Sequence, residues 1–159
     1  MTEPESGGRG PVVSVSREIQ CDIGHRIPFH KAACANVHGH RYRIVATLEG
    51  PVVRADRSSD DGMVTDFGDL KRLMLREIHD VVDHAFMVWE GDTALREFLE
   101  GQSYRLLVLD QAPTAENFAE WCFQRLDAAL PESFPPSVRL TQVTVWETPN
   151  CQATYCPRG

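Results

Sequence analysis

The strongest constraint on the fold comes from residues 37–49, in which side chains alternate between two faces. One face carries Tyr42, Ile44, Ala46 and Leu48, and the other carries Arg41, Arg43, Val45, Thr47 and Glu49. A period of two over this length is typical of a β-strand with one buried face. The segment therefore predicts a long strand, and the Gly-Pro pair that follows it ends the strand.

Other segments predict further strands and helices. Residues 12–21 carry β-branched side chains and predict a first strand, followed by an irregular stretch at 22–36. Asp66 can cap a helix over 67–82, and a second amphipathic helix begins at Thr114 and ends before Pro131. Residues 93–109 suggest a short helix and then a short strand at 104–109, and residues 138–146 and 152–155 predict a closing β-hairpin.

The order strand, strand, helix, helix, strand, strand predicts an α+β domain. We expect a four-stranded antiparallel sheet with two helices packed on one face. A chain of 159 residues fits one domain, predicted over 12–159, and the polar residues 1–11, rich in Gly, Glu and Pro, predict a flexible leader.

Composition narrows the classes of function. The net charge of −7 gives no general support to nucleic-acid binding, because phosphate contacts need Lys and Arg. No apolar stretch approaches the ~20 residues of a membrane-spanning helix. Five scattered cysteines without a C-x-x-C pair argue against a disulfide framework and favour a cytoplasmic protein.

Three histidines in a short window predict a metal site. His38 and His40 lie two residues apart in the predicted strand, so their imidazoles point to the same face, and Gly39 leaves the opposite face bare. His25, on a neighbouring segment, can supply a third nitrogen. Three nitrogen ligands without a fourth protein ligand are typical of a catalytic zinc. An isolated H-x-H is more often a pair of exposed histidines, but His25 and Cys34 nearby favour the metal site.

Several other residues allow more than one interpretation. Cys34 could be a fourth zinc ligand, an inert buried cysteine or a catalytic thiol whose pKa nearby positive charge lowers. Asp83 could orient His84, although a histidine at a helix C-terminus also complements the helix dipole. Glu147, at the end of V-T-V-W-E, could bind the amino–imino edge of a ligand or be a solvated strand end. Glu116 in P-T-A-E-N could simply be an acid in the first turn of a helix.

Taken together, these motifs resemble the 6-pyruvoyl-tetrahydropterin synthase family. In chain order they are I-G-H-R-I at 23–27, C-A-N-V-H-G-H at 34–40, G-M-V-T-D-F at 62–67, D-H at 83–84, P-T-A-E-N at 113–117 and W-E-T at 146–148. The three residues between Cys34 and H-G-H resemble the 6-carboxy-tetrahydropterin synthase branch of queuosine biosynthesis. Two features depart from the family pattern. Gly24 replaces a usual alanine and should loosen a turn, and the segment 91–109 is longer than in compact bacterial members.

The resemblance implies a tunnelling fold that assembles into trimers or hexamers. It implies zinc on His25, His38 and His40, and 7,8-dihydroneopterin triphosphate as the substrate. Cys34 would accept a proton, and Asp83 with His84 would form a relay that reaches the site across a subunit boundary. Glu147 would hold the pterin ring, with Thr114 and Glu116 near that pocket.

Three questions stay open at the level of sequence. The same residues could make 6-pyruvoyl-tetrahydropterin instead of the 6-carboxy product. A protein of another class, a metal-binding assembly module, would use Cys34 to close the metal site. The triphosphate needs local cations, and the basic residues near the motifs are Arg26, Lys31, Arg41 and Arg43.

Overall fold

The computed structural model describes residues 11–157, so all but the last residue of the predicted leader lies outside the described residues. Six strands form in chain order: β1 (Val12–His25), β2 (His38–Pro51), β3 (Phe86–Trp89), β4 (Leu106–Leu109), β5 (Arg139–Thr148) and β6 (Cys151–Tyr155). The α-helices are α1 (Phe67–Met74), α2 (Asp80–Val82), α3 (Thr93–Gly101) and α4 (Ala115–Ala129). A π-helical turn (Leu75–His79) joins α1 to α2, and 3-10 turns occupy Ala33–Ala35 and Leu130–Glu132.

All six strands belong to one mixed sheet with the order β4-β3-β1-β2-β5-β6. The pairs β1–β2, β2–β5 and β5–β6 are antiparallel, whereas β3 runs parallel to β1 and β4 runs parallel to β3. The predicted α+β class is confirmed, but the four-stranded, wholly antiparallel sheet is wrong. The short strand expected at 104–109 is confirmed as β4, whereas β3 was not predicted, because its four residues are too few for a period-two pattern to stand out.

The first hairpin is longer than predicted and reaches the histidines. β1 continues past residue 21 because it pairs with β2 along its whole length, from Val12 opposite Pro51 to His25 opposite His38. The predicted irregular stretch at 22–36 therefore begins only after His25. The hairpin places the first histidine directly beside the second.

The core lies between the sheet and the helices. The predicted inward residues Tyr42, Ile44, Ala46 and Leu48 are fully buried, which confirms the alternation. They pack in one apolar cluster with residues of the helices, among them Leu70, Leu73, Ile78, Phe118 and Leu126. Asp66 caps α1 by accepting a hydrogen bond from the backbone of Gly68, as predicted.

One helix differs from the prediction. The helix expected over 67–82 is interrupted by the π-helical turn. The short helix expected after residue 93 is confirmed as α3, which contacts β3. Within residues 11–157, no helix has the length and apolar character that crossing a bilayer requires.

Candidate active site

The three predicted histidines converge at the closed end of the β1–β2 hairpin. Their ring centroids lie 4.5 Å apart for His25 and His38, 5.0 Å for His38 and His40, and 5.2 Å for His25 and His40. One ring nitrogen from each lies within 4.8 Å of the others, which is a spacing that one metal ion can bridge. The predicted convergence is confirmed. It arises because strand pairing brings His25 opposite His38 and strand alternation puts His40 on the same face.

Backbone carbonyls orient two of the three rings. Nδ1 of His25 lies 2.7 Å from the carbonyl oxygen of Pro113, and Nδ1 of His38 lies 2.7 Å from that of Asn36. Because a carbonyl can only accept, each Nδ1 carries a proton, and Nε2 is the nitrogen that the neutral ring offers to a metal. This is the usual support of a metal-binding imidazole. Burial lowers the pKa of the His25 side chain, and so favours the neutral ring that a metal requires.

A fourth ligand is not among the atoms that converge. Within the described residues, the only group of metal-type ligands that meet at this spacing is His25, His38 and His40. Cys34 is not a member of it. The donor set fits a divalent transition metal, because imidazole suits zinc, copper, iron and nickel, and it leaves coordination positions for other molecules.

Glu147 and Tyr42 complete the polar wall beside the histidines. Oε1 of Glu147 lies 3.5 Å from Nε2 of His25 and 4.0 Å from Nε2 of His40. The Tyr42 hydroxyl lies 3.3 Å from both Glu147 Oε1 and His25 Nε2. Burial, with the charge of Glu147, raises the pKa of Tyr42, so its hydroxyl stays protonated and can donate. Tyr42 was predicted only as a residue of the face of β2 that also carries Ile44, Ala46 and Leu48, and not as a residue of the site. Its position in the sequence could have indicated the site, because Tyr42 follows His38 and His40 at a spacing of two residues and so points to the same face of the strand.

Cys34 lies in the loop that joins His25 to His38. It occupies the 3-10 turn Ala33–Ala35, is half-buried, and its carbonyl accepts a hydrogen bond from the backbone of Ile27 at 2.8 Å. All five cysteines are free. Burial raises the pKa of Cys21 to about 12 and also raises that of Cys122, so neither is a reactive thiol.

Asp83 and His84 form a hydrogen-bonded pair away from the histidine cluster. Nδ1 of His84 lies 2.7 Å from Oδ2 of Asp83, while the Asp22 backbone donates to Asp83 Oδ1 at 3.0 Å. His84 has a positive φ of 58°, held by a 2.8 Å hydrogen bond from its own backbone to the carbonyl of Asp22.

The pair opens onto a cleft at the closed end of the β1–β2 hairpin. His84 lines this cleft with Asp22, Gly24, Gly39, His40 and Arg41. Strand alternation directs the side chains of Asp22 and Arg41 away from the face that carries His25 and His40. The side chain of His84 is 74% exposed. Among the described residues, no hydrogen bond or ion pair joins Asp83 or His84 to the three histidines of the cluster.

Thr114 and Glu116 lie at the start of α4. Thr114 caps the helix by accepting a 3.3 Å hydrogen bond from the backbone of Asn117, and Glu116 is exposed in the first turn. Both residues have the ordinary roles of a helix N-terminus. This motif contacts the candidate site through Pro113, whose carbonyl oxygen accepts the hydrogen bond from Nδ1 of His25. This hydrogen bond was not predicted from the sequence.

Most of the basic residues near the motifs are already paired. Arg26 bonds to Asp92, Arg41 to Asp22 and Arg43 to Glu18. The fourth, Lys31, is exposed in the loop that carries Cys34.

The two glycines of the hairpin allow close packing. Gly24 and Gly39 face each other across β1 and β2, and a Cβ on Gly39 would lie 3.1 Å from the backbone oxygen of Ile23. A Cβ on Gly24 would lie 2.6 Å from the ring of Phe86. The expectation that Gly24 loosens a turn is wrong, because Gly24 lies within a strand and makes room for that ring.

Comparison with known proteins shows the family and agrees with this fold. Residues 14–158 match the family described as 6-pyruvoyl tetrahydropterin synthase. Because the match covers nearly the whole chain, the chain belongs to that family.

Relatives come from both branches of the family. The 6-carboxy-5,6,7,8-tetrahydropterin synthase of Rickettsia bellii is 32% identical over 142 residues, covering 88% of this chain and 97% of the relative. The human 6-pyruvoyl tetrahydrobiopterin synthase is 29% identical over 163 residues, covering 95% and 96%. Among solved structures, the 6-pyruvoyl tetrahydropterin synthase of Caenorhabditis elegans superposes with a TM-score of 0.63 at 28% identity, covering 94% of this chain and 99% of that one.

Proposed function

We propose that this chain converts 7,8-dihydroneopterin triphosphate and water into 6-carboxy-5,6,7,8-tetrahydropterin, with release of acetaldehyde and triphosphate, as a step of queuosine biosynthesis. The observation that carries the proposal is the convergence of three imidazoles, two of them oriented by backbone carbonyls, with Glu147 on one wall and the Cys34 loop beside them. The names of several relatives support the 6-carboxy product, including those of Rickettsia bellii and Haemophilus influenzae.

His25, His38 and His40 would hold a zinc ion. Zinc supplies Lewis-acid polarisation of a substrate oxygen, which makes the neighbouring carbon–hydrogen bond more acidic. Two of the three rings are fixed by carbonyl groups, so the site costs little reorganisation when the metal binds.

Three groups of the chain would then bind the substrate and move protons. Glu147 pairs with the amino and ring N–H groups of the pterin, since a carboxylate accepts two parallel hydrogen bonds. Cys34 accepts a proton from the substrate side chain. His84, oriented by Asp83, returns a proton on the opposite face of the substrate.

The relay pair would come from another copy of the chain. The His84 side chain is exposed and, among the described residues, makes no hydrogen bond to the three histidines, so it is available to the metal site of a neighbouring chain. Strands β4 and β6 each have only one neighbour in the sheet, which leaves two edges available for pairing between copies. We therefore propose a homo-oligomer, a trimer or a hexamer, with sites shared between subunits. Light scattering on the purified protein measures the subunit count.

Product analysis tests the reaction. The zinc-loaded protein is incubated with 7,8-dihydroneopterin triphosphate, and acetaldehyde and the pterin product are measured together. We expect acetaldehyde and the 6-carboxy pterin in equal amounts. A pyruvoyl pterin without acetaldehyde would assign the chain to the other branch, and an unchanged substrate would contradict the enzyme proposal.

A further inference from the structure

A short bidentate ion pair next to the candidate site joins two residues, Arg26 and Asp92, to which the proposed function gives no role. Nε and Nη2 of Arg26 donate to the two carboxylate oxygens of Asp92, each at 2.6 Å. The Asp92 side chain is 5% exposed, so the pair is shielded from water on its acidic side. Bidentate, charge-assisted pairs of this kind fix geometry as well as adding stability.

Arg26 begins the loop that carries Cys34. It directly follows His25, and the next residue, Ile27, donates its backbone N–H to the carbonyl of Cys34. At the far end of the loop, the carbonyl of Asn36 holds His38. The position of Cys34 relative to the metal therefore depends on where this loop is anchored.

The other partner, Asp92, belongs to a turn that is itself held firmly. The turn joins β3 to α3, its Asp92 N–H donates to the Trp89 carbonyl at 2.9 Å, and Glu90 donates to the carbonyl of Leu109 at 2.8 Å. The indole N–H of Trp89 donates to the carbonyl of Asp110 at 3.1 Å. The Trp89 ring also meets the Phe29 ring edge to face, with centroids 5.7 Å apart.

We propose that Asp92 is a positioning residue, which holds Arg26 and through it sets the place of the Cys34 thiol beside the metal site. Trp89 supports the same loop at Phe29. This inference rests on the proposed function for its kinetic consequences, and it gives the long segment after β3 a role: it anchors the active-site loop. The pair uses two of the five guanidinium N–H donors of Arg26, and Asp92 already offsets its charge.

Asp92→Asn tests the proposal in the full-length, zinc-loaded protein. The variant keeps the shape of the side chain but loses its charge. We expect kcat to fall about tenfold because the thiol is displaced, while KM stays within about twofold. Zinc content should stay at the wild-type value, since no metal ligand changes. Glu132→Gln is the matched control: it breaks the exposed pair with Arg76, far from the site, and should leave kcat unchanged.

Alkylation of Cys34 provides a readout that does not need the substrate. Iodoacetamide is added, and modification of the Cys34 peptide is followed by mass spectrometry. In Asp92→Asn the rate should change by about threefold or more, because the loop no longer holds the thiol in one environment. Asp92→Glu should restore the rate in part, since it keeps the charge for Arg26.

Two outcomes would overturn the inference. One is an alkylation rate of Cys34 in Asp92→Asn that equals the wild-type rate. The other is loss of both zinc and activity in Asp92→Asn, which would show that the Arg26–Asp92 pair stabilises the fold in general. If Asp92→Asn does not fold, Arg26→Lys replaces it and should change the alkylation rate in the same direction. If the wild-type protein shows no turnover, the proposed function fails, and alkylation still decides the role of Asp92.

Discussion

The histidine cluster and the Asp83–His84 pair differ in how completely one chain builds them. His25 is fully buried, and backbone carbonyls fix both it and His38, whereas the His84 side chain is 74% exposed and is held only by Asp83. The cluster lies on the face of the sheet that packs against the helices, whereas the pair lines an open cleft at the end of the hairpin. The three histidines are therefore brought together within one hairpin, while Asp83 and His84 are left accessible at the surface of the chain.

Removing a metal ligand should have the largest effect. His40→Ala leaves two imidazoles, which is too few to hold the ion in a catalytic site, and we expect bound metal to fall well below one ion per chain and turnover to be lost. Elemental analysis of the purified variant, together with the product assay, measures both. His30→Ala changes an exposed histidine of the neighbouring loop and should keep the metal. Full metal content in His40→Ala would contradict the three-histidine site.

Removing the relay histidine should reduce rate without reducing metal. His84→Ala is expected to lower kcat by about 10²–10⁴-fold, as for loss of a general acid or base, with KM and zinc content near the wild-type values. Steady-state kinetics and metal analysis check this. A drop in bound zinc would mean that metal binding by the histidine cluster depends on the Asp83–His84 pair.

Mixing the two inactive variants tests whether the halves come from different chains. His40→Ala and His84→Ala subunits are unfolded together, refolded and assayed. Because an intact cluster on one chain can meet an intact pair on another, part of the wild-type activity should return. If no activity returns while mixed oligomers are present, each chain uses its own His84.

Replacing Glu147, which is proposed to hold the pterin ring, should mainly weaken substrate binding. Glu147→Gln exchanges a carboxylate for an amide that cannot accept both pterin hydrogen bonds, and we expect a loss of about 2–4 kcal/mol in binding free energy. The expected signature is a large rise in KM with zinc retained. An unchanged KM would remove Glu147 from the pterin site.

Removing the hydroxyl that faces Glu147 should have the smallest effect. Tyr42→Phe deletes one donor and keeps the buried ring, so KM should rise by the equivalent of about 1 kcal/mol. The Glu147→Gln background provides the control: if Tyr42 acts by orienting the carboxylate, adding Tyr42→Phe there should change KM little. Equal effects in both backgrounds would show that Tyr42 acts independently of Glu147.

Local sequence patterns predicted most of the structure of the β1–β2 hairpin and of helices α1 and α4. The alternation that ends in Leu48 identified the inward face of β2, and the same alternation put His38 and His40 together. Asp66 marked the start of α1. These features depend on neighbouring residues, which a sequence displays directly.

The features that were missed depend on partners distant in the chain. Strand β3 exists because Phe86 and Met87 pair with the end of β1, and the His25 orientation depends on the Pro113 carbonyl, 88 residues away. The ion pair of Arg26 with Asp92 spans 66 residues. No local pattern records such contacts, because tertiary packing brings the partners together.

X-ray absorption at the zinc edge of the purified protein tests the central claim most directly. Three imidazole ligands with a free thiol predict nitrogen and oxygen neighbours at about 2.0–2.1 Å and no sulfur. The spectrum should be the same in Cys34→Ala, which should keep its zinc. A sulfur neighbour at about 2.3 Å that disappears in Cys34→Ala would show that the thiol closes the site, and would contradict its role as a proton acceptor.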